Sequence, residues 1–288
     1  MTAYDQSDSR DRLPDPGGVA ATPISIDDAL ANGSLDIWYQ PKIDLRRKCV
    51  AGAEAFTYIR HPHARLLWPD DVRGALDEQN ITKLTEHALV TALHHWTEFF
   101  DLGFNMRLSV NVPATVISKL SINALISTHR PQSENWPGLI LEITEDQIVR
   151  DVKLTQQIAN ELKPGKIALA IDEFGAGYSS FSNLRGLPFT ELKLHKSFVK
   201  NCAVDATNAA ICQTAIDLAH RFGSVAVAAG IECTADLQSL MVMGCDFGQG
   251  LLLAPPLPKD EFLGALRQHA AAPRPPAAPD ITNPERVA

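Results

Sequence analysis

At 288 residues, 45% hydrophobic and 21% charged, the chain has the length for one large domain or two small ones and an ordinary globular composition. Its net charge of −8 argues against a broad surface for duplex DNA or RNA or for an anionic membrane. No apolar run approaches the roughly 18 residues of a membrane span and the N-terminus lacks a signal-peptide core, so the expected location is the cytoplasm.

Residues 1–22 are rich in Asp, Ser, Gly and Pro and read as a disordered tail, and residues 270–288 as a disordered Ala/Pro tail. One folded unit, 23–269, lies between them. Ser25 is placed to cap a short helix over 26–31 that Asn32-Gly33 ends. Residues 35–40 read as a strand, 43–48 as a turn and 49–56 as a returning strand that ends near Glu54, an antiparallel hairpin. A helix over 81–100 follows, patterned by Leu84, Leu89, Leu93 and Trp96. Strand 107–112 carries Asn111 near its end, and Pro113 suits the start of the next helix.

Strand 138–143 holds Glu142, and an amphipathic helix over 144–162 stops at Pro164-Gly165. Residues 166–172 are apolar enough for a buried strand, which then meets Asp172-Glu173 and the glycines Gly175 and Gly177. Taken alone, that acidic pair reads equally well as a solvated turn. Strand 191–194 is apolar except for Lys193; helix 208–222, strand 224–229, helix 235–243, strand 249–254 and helix 259–269 complete the chain. Repeated βα units predict an α/β fold, a (β/α)8 TIM-like barrel with an irregular, antiparallel first strand, over an open doubly wound sheet. No dinucleotide-type glycine fingerprint argues otherwise.

Glu54, Asn111, Glu142, Asp172, Lys193, Glu232 and Gln249 all fall at or just beyond predicted strand ends, which in a barrel converge on one mouth. Any one of them also suits a structural ion pair. Together the carboxylates and the Asn oxygen make a hard-oxygen set suited to Mg2+ or Mn2+, and a buried lysine would balance them. The five cysteines are odd in number and form no C-x-x-C pair, which suits free thiols in a reducing compartment. His61, His63 and His94-His95 give no convincing metal spacing, and Ser179-Ser180 has no paired His and Asp for a serine nucleophile.

Tyr39-Gln40-Pro41, Gly52-Ala53-Glu54-Ala55-Phe56, Arg60-His61-Pro62, Ser109-Val110-Asn111-Val112, Glu142-Ile143-Thr144-Glu145, residues 171–180, Lys193-Leu194, Gly230-Ile231-Glu232 and Gln249-Gly250 occur in this order. In sequence and spacing they resemble the EAL domain family of cyclic di-GMP phosphodiesterases over about residues 25–268. The resemblance implies a two-metal site that hydrolyses cyclic di-GMP to the linear dinucleotide. By it, Glu54, Asn111, Glu142, Asp172 and Glu173 are metal ligands, Lys193 and Glu232 are catalytic, and Gln40, Phe56 and Gln249 contact the nucleotide. Glu145, Gly175, Gly177, Tyr178 and Ser179 resemble the family's regulatory loop and its anchor, which implies a homodimer.

The chain departs from the family pattern in five places. The signature Glu-Ala-Leu ends in Phe56, and Tyr58 stands where an Arg usually contacts ligand phosphate. Glu173 replaces the second Asp of a pair, Ala229 replaces a Glu and offers neither ligand nor base, and His195 replaces an Asp. The expected protein is therefore a phosphodiesterase with weak or absent turnover. The alternatives are a domain that binds cyclic di-GMP without cleaving it, or a nucleotide-independent interaction module.

Overall fold

The computed structural model describes residues 26–60, 66–67, 77–117, 119–150, 165–176 and 189–271, together with 153, 156, 160 and 162. Ser25, His61, His63, most of the helix expected beyond residue 150, the loop residues Gly177, Tyr178 and Ser179, and the two tails lie outside the described residues.

The chain opens with α1 (Ile26–Ala31), followed by β1 (Leu35–Asp44) and β2 (Cys49–Arg60) as an antiparallel hairpin. Both strands run further than the sequence predicts. At residues 40–42 β1 pairs only with β2, between its contacts with two later strands, which is a position where a strand tolerates Pro41. The hairpin turn is tied by Asp44 Oδ1, which accepts from the backbone N–H groups of Arg46 and Arg47 at 3.0 and 2.7 Å.

Outside β2 lies the short β3 (Leu66–Leu67), and then α2 (Glu78–Asp101) packs its stripe of Leu89, Ala92, Leu93, Trp96 and Phe99 on the sheet. After α2 come β4 (Arg107–Asn111), α3 (Ala114–Ile117), α4 (Ile122–His129), β5 (Leu139–Thr144), α5 (Glu145–Arg150), β6 (Ile167–Phe174) and β7 (Phe189–Leu194). The chain continues through α6 (Lys196–Val199), α7 (Ala206–Arg221), β8 (Val225–Ala228), α8 (Thr234–Val242), β9 (Phe247–Gly248), β10 (Leu257–Pro258) and α9 (Lys259–Ala271).

Strands β2, β4, β5, β6, β7, β8 and β9 pair in parallel, and β1 closes the ring antiparallel to both β2 and β9. The result is the closed eight-stranded barrel with an antiparallel first strand that the sequence predicts. Period-two alternation sets its two faces. Leu108, Val110, Leu139, Leu141, Ile143, Ile171, Leu192 and Leu194 belong to the core, while the residues that alternate with them on the same strands include Ser109, Glu142, Glu191 and Lys193. A polar interior inside an apolar shell follows from that alternation.

Residues 249–254 are not the strand expected. Gly250, at φ 150°, lies so close to Ile231 that a Cβ would stand 2.2 Å from the Ile231 nitrogen, and the apolar run turns there. Ile231 donates to the Gln249 carbonyl at 2.9 Å and accepts from the Leu252 N–H at 3.0 Å, so the segment wraps around Ile231.

Candidate active site

Four strands deliver the centre of the site. Glu54 lies in mid β2, Glu142 on β5, Asp172 on β6 and Lys193 on β7. Glu54 and Asp172 were expected at strand ends, but β2 and β6 extend past them. Lys193 Nζ reaches all three carboxylates, Glu142 Oε2 at 2.5 Å, Glu54 Oε2 at 2.9 Å and Asp172 Oδ2 at 3.3 Å. One oxygen from each of these acids lies within 4.8 Å of the others. Asn111 Nδ2 donates to Glu54 Oε1 at 2.8 Å, and Gln249 Nε2 to Glu54 Oε2 at 3.2 Å.

Below this layer is a second one that sequence reasoning missed. Lys42 Nζ donates to Ser109 Oγ at 2.6 Å, Glu142 Oε1 at 2.8 Å and Glu191 Oε2 at 2.5 Å. Glu191 and Ser109 sit two residues before Lys193 and Asn111, so strand periodicity could have found them. Lys42 was hidden because β1 was expected to stop at Gln40. A cavity of about 310 Å3 opens toward Lys42 and Glu191 at the N-terminal ends of the parallel strands, lined also by Gly52, Arg107, Ile140 and Phe247.

The charges perturb one another strongly. Burial and the nearby Glu142 push the Glu54 carboxyl up to about 7, against the pull of Lys193. Burial also opposes the ionised Glu142, but Lys193 and Lys42 win and hold its carboxyl far below the usual range. Burial opposes both ammonium ions, and the surrounding carboxylates overcome it and raise each lysine above its ordinary value.

The other expected site residues fall outside this cluster. Glu173 is exposed, with its backbone at φ 56° and its N–H donating to Asp172 Oδ1 at 2.8 Å. Glu232 is exposed and pairs with Lys200 at 3.4 Å. Ala229 follows β8, its N–H directed to the Leu194 carbonyl. Gln40 Nε2 donates to the Ala254 carbonyl at 3.1 Å, facing Glu54 across the hairpin. Phe56 lies opposite Trp38, and Tyr58 is buried with its ring 4.7 Å from that of Trp38, a packed wall where a guanidinium was the family expectation. His195 caps α6, its Nδ1 accepting from the Ser197 N–H at 3.3 Å, a task an Asp performs equally well. Glu145 Oε2 accepts from the Gly175 N–H at 2.8 Å. The five cysteines are free thiols. Among the described residues no helix is long and apolar enough to cross a membrane.

The arrangement suits a divalent cation. Three acids converge, and among the described residues Gln249 Oε1 is a buried side-chain oxygen with no hydrogen-bond partner, beside Glu54. An orphaned hard-oxygen acceptor next to clustered carboxylates is the donor chemistry that Mg2+ or Mn2+ takes.

Comparison with known proteins agrees with this geometry. A family model described as "EAL domain" matches residues 25–256. The curated "Cyclic di-GMP phosphodiesterase RocR" of Pseudomonas aeruginosa is 30% identical over 240 residues, covering 81% of this chain and 60% of that protein. "Bifunctional diguanylate cyclase/cyclic di-GMP phosphodiesterase MucR" of the same organism is 30% identical over 83% of this chain and 35% of its own length. The chain thus spans 60% or less of these relatives. Among solved structures, "PaMucR Phosphodiesterase, c-di-GMP complex" superposes with a TM-score of 0.75 at 29% identity, covering 82% of this chain and 97% of that one.

Proposed function

The chain belongs to the EAL domain family, and from that premise we propose that its barrel mouth binds cyclic di-GMP together with Mg2+ or Mn2+ and hydrolyses it only slowly to the linear dinucleotide. The observation that carries the reading is the convergence of Glu54, Glu142 and Asp172 around Lys193, with Gln249 Oε1 left without a partner. Glu54, Asn111, Glu142 and Asp172 would hold the cation. When bound, it would supply Lewis acidity toward a phosphodiester oxygen and neutralise charge at phosphorus.

The chain's own residues then explain why turnover is slow. By the family resemblance Lys193 would hold a phosphoryl oxygen or the attacking water, and Gln40, Phe56 and Gln249 would contact the nucleotide. Hydrolysis adds water at phosphorus, breaks one P–O bond and needs a group to take the water's proton. Ala229 has no such group, and Glu173 and Glu232 are exposed and lie outside the acidic cluster. A second cation has few remaining ligands. Losing a carboxylate that handles metal or water raises a barrier by several kcal/mol, where each ~1.4 kcal/mol is a factor of about ten in rate.

The competing reading is a cyclic di-GMP receptor with no turnover, favoured by Ala229 and by the engagement of Glu232 with Lys200. Calorimetry with cyclic di-GMP, in Ca2+ and in Mn2+, followed by product analysis separates the two. Binding in both ions with slow product in Mn2+ alone is expected; binding without product over many hours leaves the receptor, and no binding removes both. Homodimerisation through the segment near Gly175, which Glu145 anchors, belongs to the same proposal, and sedimentation of the purified chain tests it.

A further inference from the structure

We propose that Lys42 is a positioning residue for Glu142. From the antiparallel strand β1, it fixes the plane of that carboxylate by holding Oε1, so that Oε2 is the oxygen presented to a divalent cation. The inference rests on the reading of Glu142 as a metal ligand.

Three observations support it. Lys42 is 2% exposed, and its ammonium has three acceptors, Ser109 Oγ, Glu142 Oε1 and Glu191 Oε2, so each of its N–H bonds is committed. The two oxygens of Glu142 are divided between two lysines, Lys42 on Oε1 and Lys193 on Oε2. Lys193 also contacts Glu54 and Asp172, on the side where the acids converge, whereas Lys42 contacts Ser109 and Glu191 on the opposite side. A carboxylate gripped at its far oxygen cannot rotate about its last bond, and outer partners of this kind set the orientation of a metal ligand.

Ser109 and Glu191 hold the lysine in turn. Each faces the barrel interior two residues before a residue of the upper layer, Asn111 on β4 and Lys193 on β7. The support is therefore built from β1, β4, β5 and β7 together and not from one flexible side chain. The cavity beneath, lined by Lys42 and Glu191, explains how an ion pair so deep in the barrel remains near solvent.

The test removes Lys42 without leaving a lone buried charge. In Lys42→Met/Glu191→Gln the ammonium and its second carboxylate are neutralised together, which avoids the severe cost of breaking a buried pair. Glu191→Gln alone keeps Lys42 on Glu142. By calorimetry, Mn2+ affinity in the double variant is expected to fall about tenfold, and in Glu191→Gln to stay within about twofold of wild type. A folded double variant that binds Mn2+ as wild type does would overturn the role of Lys42. Should the double variant not fold, a crystal structure of the wild-type chain with Mn2+ decides: Lys42 on Glu142 Oε1 with the ion on Oε2 supports the proposal, and the ion on Oε1 contradicts it. Failure of the wild type to bind Mn2+ at all would sink this inference together with the functional reading, a result distinct from a change confined to the variants.

Discussion

The acid Glu54 is the residue on which cation binding should turn. Burial and Glu142 push its carboxyl up to about 7 against the pull of Lys193, so near neutral pH protons compete with an incoming cation for it. Mn2+ affinity is therefore expected to weaken by up to about tenfold per pH unit below pH ~7, and calorimetry at pH 8 and pH 6 reads it. Equal affinities at the two values would contradict this competition between protons and the cation at Glu54. Glu173 makes a separate point. Its φ of 56° is a backbone state that Asp tolerates better than Glu, so Glu173→Asp should unfold at an equal or higher urea concentration than wild type. His195 stands where the family pattern has an Asp, and its ring caps α6. His195→Asp should keep the stability of the chain, and His195→Ala should lose about 0.5–1 kcal/mol in urea unfolding.

Among the elements, β1 decides most of what was missed. Glu54, Glu142, Asp172 and Lys193 were legible because polar residues toward the carboxyl ends of barrel strands converge on one mouth, and because they sit in motifs whose order and spacing resemble a family. Lys42 was not legible, because the strand was expected to stop at Gln40 and only the tertiary pairing of β1 with β2 and β9 carries it on to Asp44. The turn at 249–254 was misread for a related reason. Its leucines suggest a strand, while the constraint that folds it, the approach of Gly250 to Ile231, is a long-range contact. Gly250→Ala should therefore cost several kcal/mol, seen as a large fall in the urea midpoint, because the new methyl meets backbone and not a movable side chain. Helix α2 contributes a pH-dependent link to β1, where the Tyr39 hydroxyl lies 2.8 Å from His95 Nδ1. Burial, aided by Lys259, lowers the His95 pKa to about 4, so between the unfolded value near 6.5 and about 4 the unfolded chain binds the extra proton. The stability owed to neutral His95 is present above pH ~6.5 and declines as pH falls toward ~4. That dependence should shrink in His95→Gln when urea midpoints at pH 7 and pH 5 are compared.

At the scale of the whole molecule, closure of the barrel turns distant residues into one site. Glu54 and Gln249 are hydrogen-bonded although 195 residues apart, because β1 joins β2 on one side to β9 on the other. The same closure presents the interior chemistry at one end and a separate cavity at the other. The fold thus brings together the acidic cluster and its central lysine, while Glu173 lies outside that cluster and Ala229 carries no carboxylate. The direct measurement is a product assay with cyclic di-GMP and Mn2+ on the wild-type chain beside Glu173→Asp/Ala229→Glu. Release of the linear dinucleotide at least about tenfold faster from the double variant is the predicted result. Equal rates from the two proteins would contradict the claim that these positions limit turnover.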